Sequence, residues 1–486
     1  MSTKNYVFCG YPSAFIYENS DAHSAKKKHL FWGDTIEILG EEIYGFLKVS
    51  SRDETGWIKK TETQENPILD LIFLDVGQGD SCIIVTPEDE KIIVDAGMGD
   101  NLLRYLKWRY KSFSTTEMKE MAGNIKSIII THPDKDHYEG LKYLFEDTLM
   151  NTVLKVQSIY HNGIFPRKGE GAGSLGTSKR IGQKTLITDL IFDNDDLKKF
   201  LQNKPLWQGK EFATLVDSIK QKHNSIDFQM LNHEWSGSPQ LTASQDLAFS
   251  ILGPYVEKDE GKLALRYFGD VKKTKNGHSV LLLLKYGNIR IFLSGDLNDK
   301  AEDYLIQQHG SKSIFQAEVL KIAHHGSSSF SDQFMEAVKP YVSVISSGDT
   351  ESYSHPRADT LGLIGKVSRG KRPLIFSTEL ARSTPEYFSG FSSLNKDIEK
   401  LKKALLAPNL ADEEKKKMSS ELDAIKDKIL NRAVAVYGAI NLRTDGHNLL
   451  LCQKLEEKNQ KNEEWDIYLL EPDTRTKELK LASLDK

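Results

Sequence analysis

The run Thr131-His132-Pro133-Asp134-Lys135-Asp136-His137 gathers two imidazoles and two carboxylates within six residues. It follows the apolar stretch 125–130 and precedes a helical pattern, so it reads as a strand-to-helix turn. A tight turn can aim such side chains at one point, whereas a regular strand or helix would splay them. Imidazole nitrogen and carboxylate oxygen are donors that hold hydrolytic metals while leaving a position open for water. Three further apolar strands end in the same residue types. Ile291-Phe292-Leu293 runs into Ser294-Gly295-Asp296, and Val319-Leu320-Lys321-Ile322-Ala323 runs into His324-His325-Gly326-Ser327. Val342-Ser343-Val344-Ile345-Ser346 is followed by Ser354-His355-Pro356. Placed side by side, these ends would form one rim, with Asp296 able to bridge two metals.

The elements around these motifs point to a layered α/β domain. Apolar strands are expected at 71–76, 82–85, 91–95 and 125–130, with a helix over 101–110 on Leu102, Leu103, Tyr105, Leu106 and Trp108. Strands return at 247–252, 280–285 and 289–293, and the chain should end in strands at 433–442, 448–454 and 465–470. Between 151 and 239 the pattern loosens. Residues 167–180, rich in glycine and carrying Arg167, Lys168, Lys179 and Arg180, read as a mobile loop, and 236–244 as a loop returning to the main domain. Leu394, Ile398, Leu401 and Leu405 share one helical face, and Met418, Leu422, Ile425 and Ile429 share another. Pro408-Asn409 separates the two, which predicts a helical hairpin.

At 486 residues the chain is long enough for two or three domains. With 39% apolar and 28% charged residues it is globular rather than disordered. Lys+Arg 65 against Asp+Glu 69 gives a net charge of -4, which excludes a bulk basic coat for nucleic acid. Cys9, Cys82 and Cys452 make no disulfide framework and no Cys-x-x-Cys, in keeping with a reducing compartment. No stretch approaches a membrane span, so a cytoplasmic location without membrane contact is expected.

The N-terminal residues have their own texture. Phe31-Trp32-Gly33-Asp34 turns into the alternating strand Thr35-Ile36-Glu37-Ile38-Leu39, followed by Phe46-Leu47-Lys48-Val49 and Gly56-Trp57-Ile58. This order resembles a bacterial SH3-like β-barrel over residues 1–64, which implies a docking module.

The strand-end motifs together resemble the metallo-β-lactamase fold, and more closely the metallo-β-lactamase domain of ComEC-type DNA-uptake competence proteins. The matching residues are Leu74-Asp75-Val76-Gly77-Gln78-Gly79-Asp80-Ser81, Ile93-Val94-Asp95-Ala96-Gly97, the Thr131–His137 run, Ser294-Gly295-Asp296, Leu320-Lys321-Ile322-Ala323-His324-His325-Gly326-Ser327 and His355-Pro356. The resemblance implies an αββα sandwich over 68–486, carrying an insertion at 150–245 and the helical hairpin at 394–432. It implies two divalent metal ions, zinc or manganese, held by His132, Asp134, Asp136, His137, Asp296, His324 and His355. Asp136 would also orient the attacking water, and Asp95 and Asp80 would brace the ligands. His324 and His325 are open between metal ligand and proton donor to a phosphate; His324 is placed with the ligands and His325 with Asp136 among the catalytic groups. Asn276 and His278 stand near the place of a further ligand without matching it, and His278 is as consistent with an exposed turn as with a ligand. Lys321, Ser327 and Arg357 are expected to contact phosphate. The implied activity is a metal-dependent phosphodiesterase or nuclease on DNA. Hydrolysis of a small phosphoester such as a cyclic nucleotide is the alternative, and a non-catalytic interaction protein using the barrel or hairpin is a third reading.

Overall fold

The computed structural model describes residues 6–482 apart from 78, 111–114, 236–240, 242–245, 349–352, 380–390, 406–410 and 432–433. Two sheets carry the main body. In the ten-stranded sheet, Asp227–Met230, Ser158–His161, Ile125–Ile129, Lys91–Ala96, Ser81–Val85, Leu69–Phe73, Ile440–Thr444, Leu449–Lys454, Trp465–Pro472 and Leu479–Leu481 follow in spatial order. The six-stranded sheet runs Leu247–Gly253, Leu281–Tyr286, Ile289–Leu293, Val319–Lys321, Val342–Ile345 and Leu374–Ser377.

Both sheets are covered on both faces, which explains strands that are apolar without interruption. Leu71, Phe73, Ile84, Ile92 and Val94 meet Leu282, Leu284, Ile291 and Leu293 between the sheets. The alternate residues Ile72, Leu74, Ile83 and Ile93 face outward onto Leu102, Leu106, Leu141 and Leu144 of flanking helices. On the opposite side Leu283, Phe292 and Leu320 pack under Leu305, Phe334 and Ile364. The layers are therefore helix, sheet, sheet, helix. Burying each such side chain contributes roughly 1.5–3 kcal/mol, so the layers position the strand ends firmly.

Lys91–Ala96 pairs in parallel with Ile125–Ile129, and Ile289–Leu293, Val319–Lys321 and Val342–Ile345 are parallel to one another. Within each sheet the carboxyl ends of these strands therefore share one edge.

The segment 150–245 differs from the loosened pattern expected there. Ser158–His161 and Asp227–Met230 extend the large sheet in parallel with Ile125–Ile129. Ser178–Ile181 and Lys184–Ile187 join Glu257–Asp259 and Lys262–Arg266 in a separate four-stranded sheet. Arg167 is buried and ion-paired to Asp189, while Lys179 bonds Asp259 and Glu260, so neither is the free charge of a mobile loop. The strands were hidden because they are only four residues long and partly polar. At the other end of the chain, Val434–Tyr437 is a helical turn and the strand begins only at Ile440. Helices Phe391–Leu405 and Asp412–Asn431 occupy the region of the expected hairpin. Pro408 and Asn409, and most of 236–244, lie outside the described residues. Among the described residues no helix is long and apolar enough to cross a membrane.

Residues 6–64 form their own seven-stranded antiparallel sheet around Ala14, Ile16, Leu30, Ile36, Val49 and Ile58. It docks on the large sheet through Phe31, Trp32 and Ile68 against Leu450, Cys452, Trp465 and Leu469. At the centre of this junction the Arg443 guanidinium, 3% exposed, donates to Asp34 Oδ1 at 2.8 Å and to Asp70 Oδ2 at 3.3 Å. Burial pushes the Asp34 carboxyl up, but Arg52 and Arg443 outweigh it and hold it at about 2.

One buried acid lies on the outer layer. Asn298 caps the helix Asp299–His309 through Ala301 N–H, and Gly310 ends it in the left-handed region at φ 68°. Within it Glu302 is 1% exposed and accepts the Ser331 N–H at 2.5 Å. Burial, with Asp303 and Asp299 nearby, pushes its carboxyl up to about 8. The folded state thus binds a proton that the unfolded chain releases above about 4.5, so stability falls as pH rises from there to about 8. Glu302→Gln should remove that slope and gain on the order of 4 kcal/mol over the native chain at alkaline pH. Urea unfolding at pH 5.5 and pH 9 measures it; equal losses in both proteins would refute it.

Candidate metal centre

Each group at the rim arrives on a different element. Asp95 is the penultimate residue of Lys91–Ala96, and Thr131 and His132 follow Ile125–Ile129 after Ile130. Asp136 and His137 sit on the one-turn helix Lys135–Tyr138. Asp296 follows Ile289–Leu293, and His324 and His325 follow Val319–Lys321. Those two histidines have left-handed backbones, φ 50° and 56°, a costly conformation for residues with a Cβ. The loop before Ser81 closes the site from below. Gly79, at φ 102°, lies so close to the Asp136 carbonyl that any Cβ would collide with it.

Asp296 is the hub, 3% exposed. Its Oδ2 lies 3.4 Å from His137 Nε2, 3.4 Å from His325 Nε2 and 4.0 Å from both His132 Nε2 and His324 Nε2. His325 Nε2 is also 3.7 Å from Asp136 Oδ2. The opposite ring nitrogens are already engaged. His137 Nδ1–H donates to Asp95 Oδ2 at 2.8 Å, and His325 Nδ1–H to the Ser346 carbonyl at 3.1 Å. His132 Nδ1 lies 3.2 Å from Thr131 Oγ1 and 3.4 Å from Ser279 Oγ. Asp95 also accepts the Thr131 N–H and Oγ1–H, both at 2.7 Å. This fixes the tautomers so that the Nε2 lone pairs point inward.

A cation fits this arrangement. His132 Nε2, His137 Nε2, His325 Nε2 and Asp296 Oδ1 are buried without a hydrogen-bond partner, a costly state for four convergent polar atoms. His132, His137 and Asp296 place donor atoms within 4.8 Å of one another, as do Asp136, His137 and His325. Burial alone would push His137 and His325 down. Asp296 with Asp95, and Asp296 with Asp80, outweigh it and hold both rings well above the ordinary histidine range. The centre thus carries negative charge that protons or a metal must balance.

Other expected site residues are engaged differently. Asp134 borders the centre, its Oδ2 3.7 Å from His132 Nε2, while its Oδ1 is tied to Lys275. His355 is one ring farther out, 5.8 Å from His324 and 6.4 Å from His325 between ring centroids. Lys321, expected at a phosphate, is instead 4% exposed, ion-paired to Asp80 and bonded to the Gly295 carbonyl at 3.1 Å. It braces the loop, as Asp80 does. His278 is neither an exposed turn residue nor a donor to the centre. It is 1% exposed, bonds the Arg266 carbonyl at 2.7 Å, and burial lowers it to about 4. Ser327 is partly buried and Arg357 exposed. Sequence reading missed Lys275 and Ser279, which lie in no metal-ligand pattern, and gave no role to Thr131 at the head of the His/Asp run; Lys275 reaches Asp134 across 141 positions of the chain.

Residues 74–197, which include the Thr131–His137 loop, match the family model of the metallo-beta-lactamase superfamily. The chain carries a metallo-beta-lactamase domain. It is similar to ComE operon protein 3 of Bacillus subtilis, 22% identical over 309 residues, covering 61% of this chain and 30% of that protein. It is also similar to Competence protein ComA of Neisseria gonorrhoeae, 38% identical over 82 residues, 17% of this chain and 12% of that protein. Recombination protein 2 of Haemophilus influenzae is 29% identical over 113 residues, 23% of this chain and 12% of that protein. The chain therefore spans less than a third of the length of each of these relatives. Unliganded yeast PDE1 aligns with 77% of this chain and 99% of its own at 12% identity and a TM-score of 0.31, too loose to carry an argument.

Proposed function

We propose that the metallo-beta-lactamase domain is a metal-dependent phosphodiesterase that cleaves DNA. The observation that carries this reading is the set of buried, unpartnered donor atoms around Asp296. His132, His137, His325, Asp136 and Asp296 would hold the metal, and this moves His325 from proton donor to ligand. A bound divalent ion, Mn²⁺ or Zn²⁺, supplies Lewis-acid polarisation of a phosphate oxygen. Asp136, its side chain 20% exposed, takes a proton from the attacking water. The water oxygen bonds to phosphorus as the bond to the departing ester oxygen breaks. Asp95 and Asp80 hold the rings in place and touch no substrate.

The rim supports a substrate with bases. Tyr353 is 54% exposed and stacked on His355 at 5.9 Å, with Lys272 4.6 Å over its ring. Such a wall suits a nucleobase, since base stacking on an aromatic ring is worth roughly 1–3 kcal/mol. Exposed Arg357 and partly buried Ser327 are close in sequence to His355 and His325 and suit a phosphate. The names of the relatives, with competence and recombination in them, support DNA over other esters.

The test is a panel of linear DNA, RNA and a cyclic dinucleotide, each with chelator-treated protein and added Mn²⁺ or Zn²⁺. DNA should be cut with metal and remain intact in chelator. Turnover of the cyclic dinucleotide alone would assign a small-phosphoester hydrolase. Inertness towards every substrate would favour an interaction protein.

A further inference from the structure

Two lysine–aspartate pairs bracket the centre. On one flank Lys321 pairs with Asp80, and on the other Lys275, from the helix Val271–Gly277, pairs with Asp134. With its amide turned to face acceptors, Asn276 of the same helix donates to Asp134 Oδ2 at 3.1 Å and to the Lys272 carbonyl at 2.8 Å. Both Asp134 oxygens are thus engaged by this helix, although Oδ2 also lies 3.7 Å from His132 Nε2 at the edge of the centre. Asp134 is absent from every cluster of convergent donors among the described residues.

The donors not held by a lysine do not divide into two complete sets, because the set of Asp80, Asp296 and His325 depends on Asp80, which Lys321 already holds. His137 belongs both to the set with His132 and Asp296 and to the set with Asp136 and His325. Its Nδ1 is bonded to Asp95, so only Nε2 is available, and one lone pair binds one metal. A cation placed among Asp136, His137, His325 and Asp296 leaves His132 with a shared Asp296 and with Asp134, whose Oδ2 is 3.7 Å from its Nε2 but which Lys275 holds. Completing a second position there would require Asp134. A divalent ion needs at least three protein donors for a firm site.

We propose that this chain holds a single tightly bound divalent cation, and that the Lys275 ammonium takes the charge and the space of a second one beside Asp134. The inference rests on the reading of this centre as metal-holding. Lys275 is then a positioning residue that sets metal number.

The experiment counts metal independently of activity. The full chain, stripped with chelator, is titrated with Mn²⁺ by calorimetry, and zinc retained after dialysis is counted by mass spectrometry. The native chain should bind one equivalent. Lys275→Met, which keeps the stem of an 18% exposed side chain and removes its charge, should bind two, and Lys275→Arg should return to one. Two equivalents in the native chain would overturn the proposal, and one in Lys275→Met would remove the role of Lys275. No binding in any variant would overturn the metal reading itself, an outcome distinct from a change in number.

Discussion

Asp296→Asn is expected to abolish stoichiometric metal binding and to lower phosphodiester cleavage on the order of 10³-fold. The change keeps the shape of a residue that is 3% exposed, so the fold should survive. What it removes is the negative charge on which four histidine Nε2 atoms converge at 3.4–4.0 Å. Lewis-acid stabilisation is worth several kcal/mol, and each 1.36 kcal/mol is about tenfold in rate. Calorimetric metal titration with cleavage of a labelled oligonucleotide checks both parts. Full metal occupancy in the variant would refute the central role given to Asp296.

Asp95 gives the second large effect, and two variants separate its two tasks. Asp95→Ala leaves three donors, Thr131 N–H, Thr131 Oγ1–H and His137 Nδ1–H, without their acceptor in a buried site. Each unsatisfied buried donor costs roughly 1–3 kcal/mol, so urea unfolding should show a loss of roughly 3–5 kcal/mol. The left-handed backbone at φ 58° suits Asp or Asn better than Ala and adds to that loss. Asp95→Asn should fold better yet bind metal about 10–100-fold more weakly. Its amide NH₂ cannot accept from His137 Nδ1, so the ring proton moves to Nε2 and closes the lone pair that faces Asp296. Nitrogen-resolved NMR of the imidazoles reads that tautomer directly. An unchanged His137 tautomer in Asp95→Asn would refute the mechanism even if affinity fell.

The sequence made the centre partly legible because its donors sit at the ends of apolar strands. Asp136, His137, Asp296 and His325 could be picked out for that reason, since an apolar run followed by His or Asp signals a buried strand meeting a polar edge. Pairing across the chain was not legible. Lys321 looks like a phosphate contact when read beside His324, but Asp80 lies 241 positions away and captures it. Lys275 sits in a polar helix with no periodic signal, and only the fold brings it to Asp134. The four-residue strands between 150 and 245 were obscured for a related reason. Ser158–His161 draws its order from pairing with neighbours on both sides, a property of the sheet rather than of its own residues.

The buried Arg443 junction has a mechanical consequence. Arg443 lies on Ile440–Thr444, opposite Asp70 on Leu69–Phe73, and reaches Asp34 in the N-terminal sheet. A module on a flexible tether samples many orientations, and its effect on a neighbouring site depends on linker length. Here the guanidinium and the aromatic contact around Phe31 and Trp465 set a fixed bearing instead. Anything held by the N-terminal sheet is therefore presented to the metal rim at one angle and one distance, as by a jig, and lengthening the chain between residues 64 and 68 should leave that alignment unchanged.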